Sequence, residues 1–224
     1  MRSLVTGGAG FIGSHLVDRL LAEGHEVVVL DNFSTGHWGN LKHLEGNANL
    51  KFKEIDVCRH EKILSCFEGI DWVFHLAGLA DIVPSIERPG DYYHTNVTGT
   101  YNVLECSRMC GVKRFIYASS GSVYGIKEEE QVTEDLGLKP ISEYNKTKMV
   151  AERVLLSYQD DMTIQIVRPA TVCRYSERMR LDVSVNLLTM HALSKGKITV
   201  YGGKQIRPNI HIDDLTDLYI HLIN

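Results

Sequence analysis

The sequence predicts an α/β fold, a doubly wound parallel sheet followed by a small second lobe. Three observations carry that expectation. Before Arg168, short apolar runs alternate with helical patterns five times, the order that builds a parallel sheet covered on both faces. A glycine-rich turn joins the first strand pattern to the first helical pattern. After Arg168-Pro169 the texture changes to short, separated elements, which divides the chain into residues 1–168 and 169–224.

Arg2 to Thr6 is a β-prone run, and Gly7-Gly8-Ala9-Gly10-Phe11-Ile12-Gly13 follows it directly. Phe11, Ile12, Leu16, Val17, Leu20 and Leu21 then recur on one helical face. Strand, glycine turn and helix in that order suit a dinucleotide. Backbone without Cβ lets a pyrophosphate approach, and the helix N-terminus offers free N–H groups and a partial positive charge. Gly8-x-Gly10-x-x-Gly13 and the overlapping Gly7-x-x-Gly10-x-x-Gly13 both fit the Rossmann fingerprint. Val27 to Leu30 reads as a buried second strand ending in Asp31. That position is close to the spacing of about 20 residues at which an acidic side chain meets the adenosine ribose. The loop from Asn32 to Asn40 holds neither Lys nor Arg, which, with Asp31, favours NAD over NADP. His37 and Trp38 either cover the adenine end or form an exposed loop pair.

Leu50 to Val57 is the third expected strand, with Asp56 near its end, and His60 to Phe67 a helix. Asp71 to Leu76 is the fourth strand. Ala77-Gly78 closes it, and such small residues let a cofactor lie across the sheet. His75 within that strand reads as a satisfied core histidine. A loop carrying Pro84, Ser85 and Pro89 leads to a helix from Asp91 to Cys110, on which Asn96 lies. Cys106 and Cys110, one turn apart, read as packing, because no His or carboxylate completes a metal set. Val112 to Ala118 is the fifth strand and empties into Ser119-Ser120-Gly121-Ser122-Val123-Tyr124-Gly125. Lys127 to Glu134 is a solvated loop, Ser142 to Tyr158 a helix and Met162 to Val167 the sixth strand. Beyond the boundary, Leu181 to Lys195 and Asp213 to Leu222 are expected helices, and Ile198 to Tyr201 and Asn209 to Ile212 short strands. Ile212, Leu215, Leu218, Tyr219 and Leu222 form a stripe that needs burial, at roughly 1.5–3 kcal/mol for each large side chain.

Three side chains carry chemistry. Tyr144 and Lys148 are four apart on a helix and share one face; Ser120 stands at the end of a strand. A free phenol has a pKa near ~10, too high for a base at neutral pH. A nearby ammonium and the positive nicotinamide would favour the phenolate, and Ser120 would bind the same substrate hydroxyl and help pass its proton.

Together, Thr6 to Gly13, Ala77-Gly78, Asn96, the Ser119–Gly125 turn and Tyr144-x-x-x-Lys148 resemble the extended short-chain dehydrogenase/reductase family. The nearest subgroup is the NAD-dependent nucleotide-sugar epimerases and dehydratases. The resemblance implies that Gly7, Gly10, Phe11, Ile12 and Gly13 hold the pyrophosphate of NAD. Asp31 and Asn32 would hold the adenosine ribose, Asp56 and Val57 the adenine. Ala77 and Gly78 would line the cofactor, Lys148 would hold the nicotinamide ribose, and Asn96 would support the site from behind. Tyr144 would be the base and Ser120 its helper. Ser85, Ser122, Thr171, Asn186 and Arg207 are implied on the substrate side. Gly202-Gly203-x-x-x-Arg207-x-x-x-His211-x-Asp213 resembles a motif whose arginine meets the substrate diphosphate.

Family dehydratases and decarboxylases carry an acid just after the serine or threonine, where this chain has Gly121 and Ser122. The resemblance therefore implies C4 epimerisation of a UDP-hexose, with another NAD-dependent dehydratase or reductase, or a non-catalytic dinucleotide sensor, as alternatives. Ala80, Thr171 and Arg174 depart from a usual lysine, asparagine and glycine of the galactose epimerases, which leaves the hexose open. Relatives also continue further, so the second lobe reads as a truncated substrate-binding lobe. A homodimer is expected.

Composition narrows the partners. A net charge of −4 gives no footprint for nucleic acid, and no apolar run reaches membrane-spanning length. Five cysteines, an odd number without a Cys-x-x-Cys pair, argue against a disulfide framework. Residue 1 leads straight into the first strand, so no signal peptide and a cytoplasmic setting are expected.

Overall fold

The computed structural model describes residues 1–177 and 180–223. Its centre is a six-stranded parallel sheet: β1 (Arg2–Thr6), β2 (Glu26–Asp31), β3 (Leu50–Glu54), β4 (Trp72–His75), β5 (Arg114–Ala118) and β6 (Thr163–Val167). The order in space is β3-β2-β1-β4-β5-β6. The order reverses between β1 and β4, so their carboxyl ends open a crevice there, the place where such sheets bind ligands. Registers are direct: Thr6 lies beside Leu30 on one side and His75 on the other.

Strand residues alternate between two apolar layers, because successive side chains point to opposite faces. Val5, Val27, Val29, Phe74 and Ile116 join one cluster, whereas Leu4, Val28, Leu30, Val73 and Phe115 join the other. Helix α1 (Phe11–Ala22) covers the first face with Phe11, Leu16, Val17 and Leu20. It ends where Gly24, at φ +82°, and His25 donate back to Leu21 O and Leu20 O. The second face is covered by the helical turns α2 (His60–Ile63) and 64–67, by a long helix, and by α6 (Glu143–Leu156). Ser142 caps α6 by accepting from Asn145 N.

The structure departs from the sequence expectation in several places. The residues around Pro84 and Ser85 are not a loop but a short helix, α3 (Ile82–Glu87). The long helix starts earlier and is not uniform: α4 (Pro89–Tyr93) runs through a π-helical stretch, His94–Gly99, into α5 (Thr100–Met109). Such wide turns often mark functional positions, and this one contains Asn96. Thr171–Cys173 forms an unforeseen strand, β7, which pairs in parallel with β8 (Asn209–His211). Residues 198–201 form no strand. Ile198, Val200 and Tyr201 are exposed there, with no neighbouring strand to complete a ladder.

Helix α7 (Ser184–Lys195) buries only Asn186. By contrast, α8 (Ile212–His221) lies along α1 and places Ile212, Leu215, Tyr219 and Ile220 in the first apolar layer. The stripe on α8 is thus covered by the sheet domain, with Leu218 at its exposed margin. No helix among the described residues is long and apolar enough to cross a membrane.

Candidate active site

The glycine turn is shaped by close approach. Gly7 has φ +70°, and a Cβ on it would lie 2.7 Å from Ala77 N. A Cβ on Gly13 would strike the Gly7 carbonyl, so the first turn of α1 sits directly on the turn that precedes it. Gly10 is the N-cap of α1 and, having no side chain, makes no side-chain cap hydrogen bond at that N-terminus. Its free amides and the helix dipole fit a diphosphate.

Asp31 ends β2 beside this turn. Its carboxylate accepts from Ala9 N at 2.9 Å and Phe33 N at 2.8 Å, and it is buried beneath Gly36. Burial raises its pKa, and the backbone amides of Phe33, Ala9 and Asn32 oppose that. Each oxygen retains acceptor capacity for a ribose hydroxyl. Asn32 donates to Asp56 Oδ2 at 3.1 Å, and Asp56 Oδ1 accepts from Cys58 N at 2.8 Å. Burial would push the Asp56 carboxyl up, but the Cys58 amide and Asn32 outweigh it and hold it low. Val57 is buried, and its carbonyl accepts from Asn102. Trp38 packs edge-on against Phe52 at 5.4 Å, and Phe33 stacks on the same ring.

A buried chain of hydrogen bonds forms the floor. Ala77 N donates to Thr6 Oγ1 at 3.2 Å, and Thr6 Oγ1 meets His75 Nδ1 at 2.6 Å. His75 Nε2 meets Thr100 Oγ1 at 2.9 Å, and that hydroxyl donates to Asn96 O. One polarity satisfies every member: Thr6 donates to Nδ1, and Nε2–H donates to Thr100. Burial, helped by the Lys148 charge, lowers the His75 pKa to about 3, so the ring is neutral and structural. Asn96 grips both N and O of Leu79 and donates to Thr147 Oγ1 on α6. Gly78 lies over this arrangement; a Cβ there would stand 3.0 Å from Asn96 Oδ1 and 3.5 Å from Lys148 Nζ. The close backbone thus brings Ala77, Gly78, Asn96 and Lys148 to one place.

Lys148 is buried. Its Nζ donates to Ala118 O at 2.8 Å and sits 4.7 Å over the Tyr117 ring. Burial lowers its pKa to about 8, against an upward pull from Glu152. One turn earlier on α6 lies Tyr144, half-buried. Its phenol stands above the ordinary value because of burial, while the Ser120 hydroxyl and the Arg180 guanidinium pull it down and Asp81 pushes it up. The sequence places the pull on the phenol with Lys148. In the structure the protein groups that supply it are Ser120 and Arg180, because the Lys148 ammonium faces Ala118 O and Tyr117.

Ser120 begins the turn after β5. Its Oγ is 2.7 Å from Ser122 Oγ, which donates to Asn145 Oδ1 at 2.6 Å. Either hydroxyl can donate across the contact between the two serines, and the Ser120 proton directed at the phenol oxygen is what favours the phenolate.

The other residues expected on the substrate side are dispersed. Ser85 is fully buried in α3 and donates to Ile82 O. Thr171 begins β7, and Asn186 is buried and donates to Arg180 O at 3.0 Å. Arg207 lies on an exposed segment, and among the described residues its side chain has no ion-pair partner. Arg180, which sequence reasoning missed, reaches Asp81 Oδ1 at 3.4 Å across the site and also pairs with Asp182. No spacing signal pointed to it, because it belongs to an irregular segment far from Tyr144 in sequence.

Comparison with known proteins shows the family of the chain. The family described as NAD dependent epimerase/dehydratase matches residues 3–224. A UDP-glucose 4-epimerase of Mycolicibacterium smegmatis is 35% identical over 227 residues, covering 98% of this chain and 72% of that protein. Among solved structures, a dTDP-glucose 4,6-dehydratase from Streptomyces venezuelae with NAD bound superposes with a TM-score of 0.91 at 30% identity, covering 100% of this chain and 72% of that one. A UDP-glucuronic acid 4-epimerase mutant from Bacillus cereus, solved with NAD and a fluorinated UDP-glucuronic acid, gives 0.91 at 32% identity, covering 100% and 73%. The chain spans between 47% and 72% of the length of the curated relatives it matches. With a glycine turn, a helix N-terminus without a side-chain cap and an acid at the end of β2 in place, the chain belongs to the NAD dependent epimerase/dehydratase family and takes NAD as its cofactor.

Proposed function

We propose that this chain carries the reactive site of a nucleotide-sugar 4-epimerase acting on a UDP-hexose. The observation that carries the reading is the convergence of Ser120, Tyr144 and Lys148 at the carboxyl end of β5, with a hydroxyl, Ser122, where an acid would serve elimination or decarboxylation. NAD, when bound, would supply the hydride acceptor and donor for the sugar carbon. The protein's part is protonic and electrostatic. Tyr144 takes the proton of the C4 hydroxyl, and Ser120 accepts from or donates to the same oxygen as its charge changes. Arg180 is the cation that stabilises the phenolate, while Lys148 holds the nicotinamide ribose. Asp31 holds the adenosine ribose, with Asn32, Asp56 and Val57 at the adenine end. Arg207, and with it Thr171, Asn186, Ser85 and Ser122, belong to the sugar-nucleotide side. No acid at position 121 or 122 is needed, since the keto-sugar only has to present its other face before hydride returns.

A net dehydratase is the second reading, favoured by the similarity to the dTDP-glucose 4,6-dehydratase. The division into a cofactor unit, residues 1–168, and a sugar-nucleotide unit, residues 169–224, is part of the proposal. So is a homodimer, supported by exposed Tyr93 and Tyr101 along the long helix, and a cytoplasmic setting, supported by five cysteines that are all unpaired.

The test is Tyr144→Phe, assayed for conversion of UDP-glucose to UDP-galactose and for NAD binding. Conversion is expected to fall by about a thousandfold or more, the scale of losing a general base, with NAD affinity held within about twofold. Undiminished conversion in the Phe variant would remove Tyr144 as the base. Accumulation of a 4-keto-6-deoxy sugar by the wild type would favour the dehydratase.

A further inference from the structure

Beneath the reactive side chains lies an ion pair between a buried carboxylate and a partly buried guanidinium, which the reaction above does not use. Glu152 follows Tyr144 and Lys148 at one-turn intervals along α6 and is 1% exposed. Arg168 meets it as a fork, Nε to Oε1 at 3.0 Å and Nη2 to Oε2 at 2.7 Å. The third nitrogen, Nη1, donates to Tyr124 OH at 2.7 Å, and the guanidinium lies 4.9 Å over the Tyr124 ring. Ser119 Oγ donates to Glu152 Oε1 in a short hydrogen bond. Two backbone bonds, Ser119 N to Val167 O at 2.8 Å and Gly121 N to Pro169 O at 2.9 Å, fasten the same turn to the segment that carries Arg168. One carboxylate–guanidinium pair therefore holds both ends of the turn that bears Ser120. Its carboxylate stands on the helix that bears Tyr144.

A buried ion pair is a poor device for stability alone, because desolvating two charges offsets most of their attraction. It is a good device for geometry, since a bidentate fork fixes both distance and orientation. We propose that Glu152 is a positioning residue: with Arg168 it clamps the Ser119–Tyr124 turn onto α6 and thereby holds the Ser120 hydroxyl against the Tyr144 phenol. The inference rests on the roles given to Ser120 and Tyr144 under the proposed function.

Three possible roles for Glu152 give different signs in one measurement, the ionisation of Tyr144. The groups that face this phenol are Ser120, Arg180 and Asp81, with Tyr92 and Tyr117 also coupled to it. Ser120 favours the phenolate, so a displaced turn raises the midpoint. Removal of a nearby negative charge would by itself lower it, and a purely structural role would leave it unmoved.

The experiment titrates tyrosinate ultraviolet absorbance in the NAD-loaded protein, with Tyr144 assigned by subtraction of Tyr144→Phe. Ser120→Ala and Glu152→Gln are each expected to weaken Tyr144 ionisation by roughly tenfold, the scale of one lost hydrogen bond, and the double variant by no more than either. Should Glu152→Gln fail to fold, Glu152→Met with Arg168→Met replaces the pair by apolar side chains and is expected to give the same rise. A midpoint that stays or falls in the Glu152 variants while Ser120→Ala raises it overturns the positioning role and leaves the catalytic assignment standing. No response to Ser120→Ala would overturn both the pairing of Ser120 with Tyr144 and the inference built on it, whereas the base itself is judged separately by turnover of Tyr144→Phe.

Discussion

Residues 1–168 and the segment from Arg174 to Pro208 both carry apolar runs that read as strands or helices, yet they reach opposite outcomes. In the first region every sheet strand finds a parallel partner, and apolar side chains fill both faces of the sheet. In the second, Ile206 is 98% exposed, Tyr201 86% and Leu193 85%, and α7 buries a single asparagine. Apolar residues become core only where a second surface lies opposite them. Helix α8, which follows that segment, makes the same point: it is well buried because α1 lies beside it. The first region, with α8 against α1, packs closely around the groups proposed for the cofactor, while Arg207, proposed for the sugar nucleotide, sits on a thinly supported surface.

The sharpest way to break this comparison is to exchange its members. Lys148→Ala is expected to weaken NAD binding by roughly a hundredfold, the scale of losing charge-assisted hydrogen bonds, with the fold retained. Arg207→Ala should leave NAD affinity unchanged and weaken UDP-glucose by roughly tenfold. Calorimetric titration of both ligands into both variants reads this directly. A loss of NAD affinity in the Arg207 variant would show that the two regions do not act separately.

Cofactor choice tests the first region by itself. Asp31 stands at the end of β2, and the loop after it carries no Lys or Arg, so a 2′-phosphate meets a carboxylate without a counter-cation. NADP is expected to bind about a hundredfold more weakly than NAD, as like charges brought together cost several kcal/mol, and Asp31→Ala should narrow that gap. Equal affinities in the wild type would remove Asp31 from the ribose site.

The smallest expected effect is a pH dependence. Lys148 has its pKa lowered to about 8 by burial, so its ammonium is present below that pH and lost above it. NAD affinity should hold steady from about pH 6 to 7.5 and fall as pH rises through about 8, by up to roughly tenfold per pH unit. Lys148→Met should flatten the profile. A wild-type profile that is flat across that range would separate the ammonium from cofactor binding.

Much of the site was legible because its residues are local in sequence or tied to strand ends. The turn from Gly7 to Gly13 announces itself by spacing, and Tyr144 and Lys148 by one helical turn. His75 could be read as structural from its place in a buried strand, and its two threonine partners bear that out. Arg180 and Glu152 were not legible. Arg180 reaches Asp81 from an irregular segment, and Glu152 is one more acidic residue on an amphipathic helix until Arg168 and Ser119 are folded against it. The strand expected at 198–201 failed for a related reason: β propensity needs a neighbouring ladder, and none lies there.

The sequence by itself determined the alternation of strands and helices, the dinucleotide turn and the candidate base, since each depends on the repeat of a helix or strand, or on glycine where the backbone must approach closely. Tertiary structure alone decided that α8 covers α1, that the long helix widens at Asn96, and that Ser120 and Arg180, not Lys148, are the protein groups pulling on the Tyr144 phenol. These outcomes depend on which surfaces meet across long chain separations. Burial and charge at such meeting points are sums over partners that no local stretch of sequence contains.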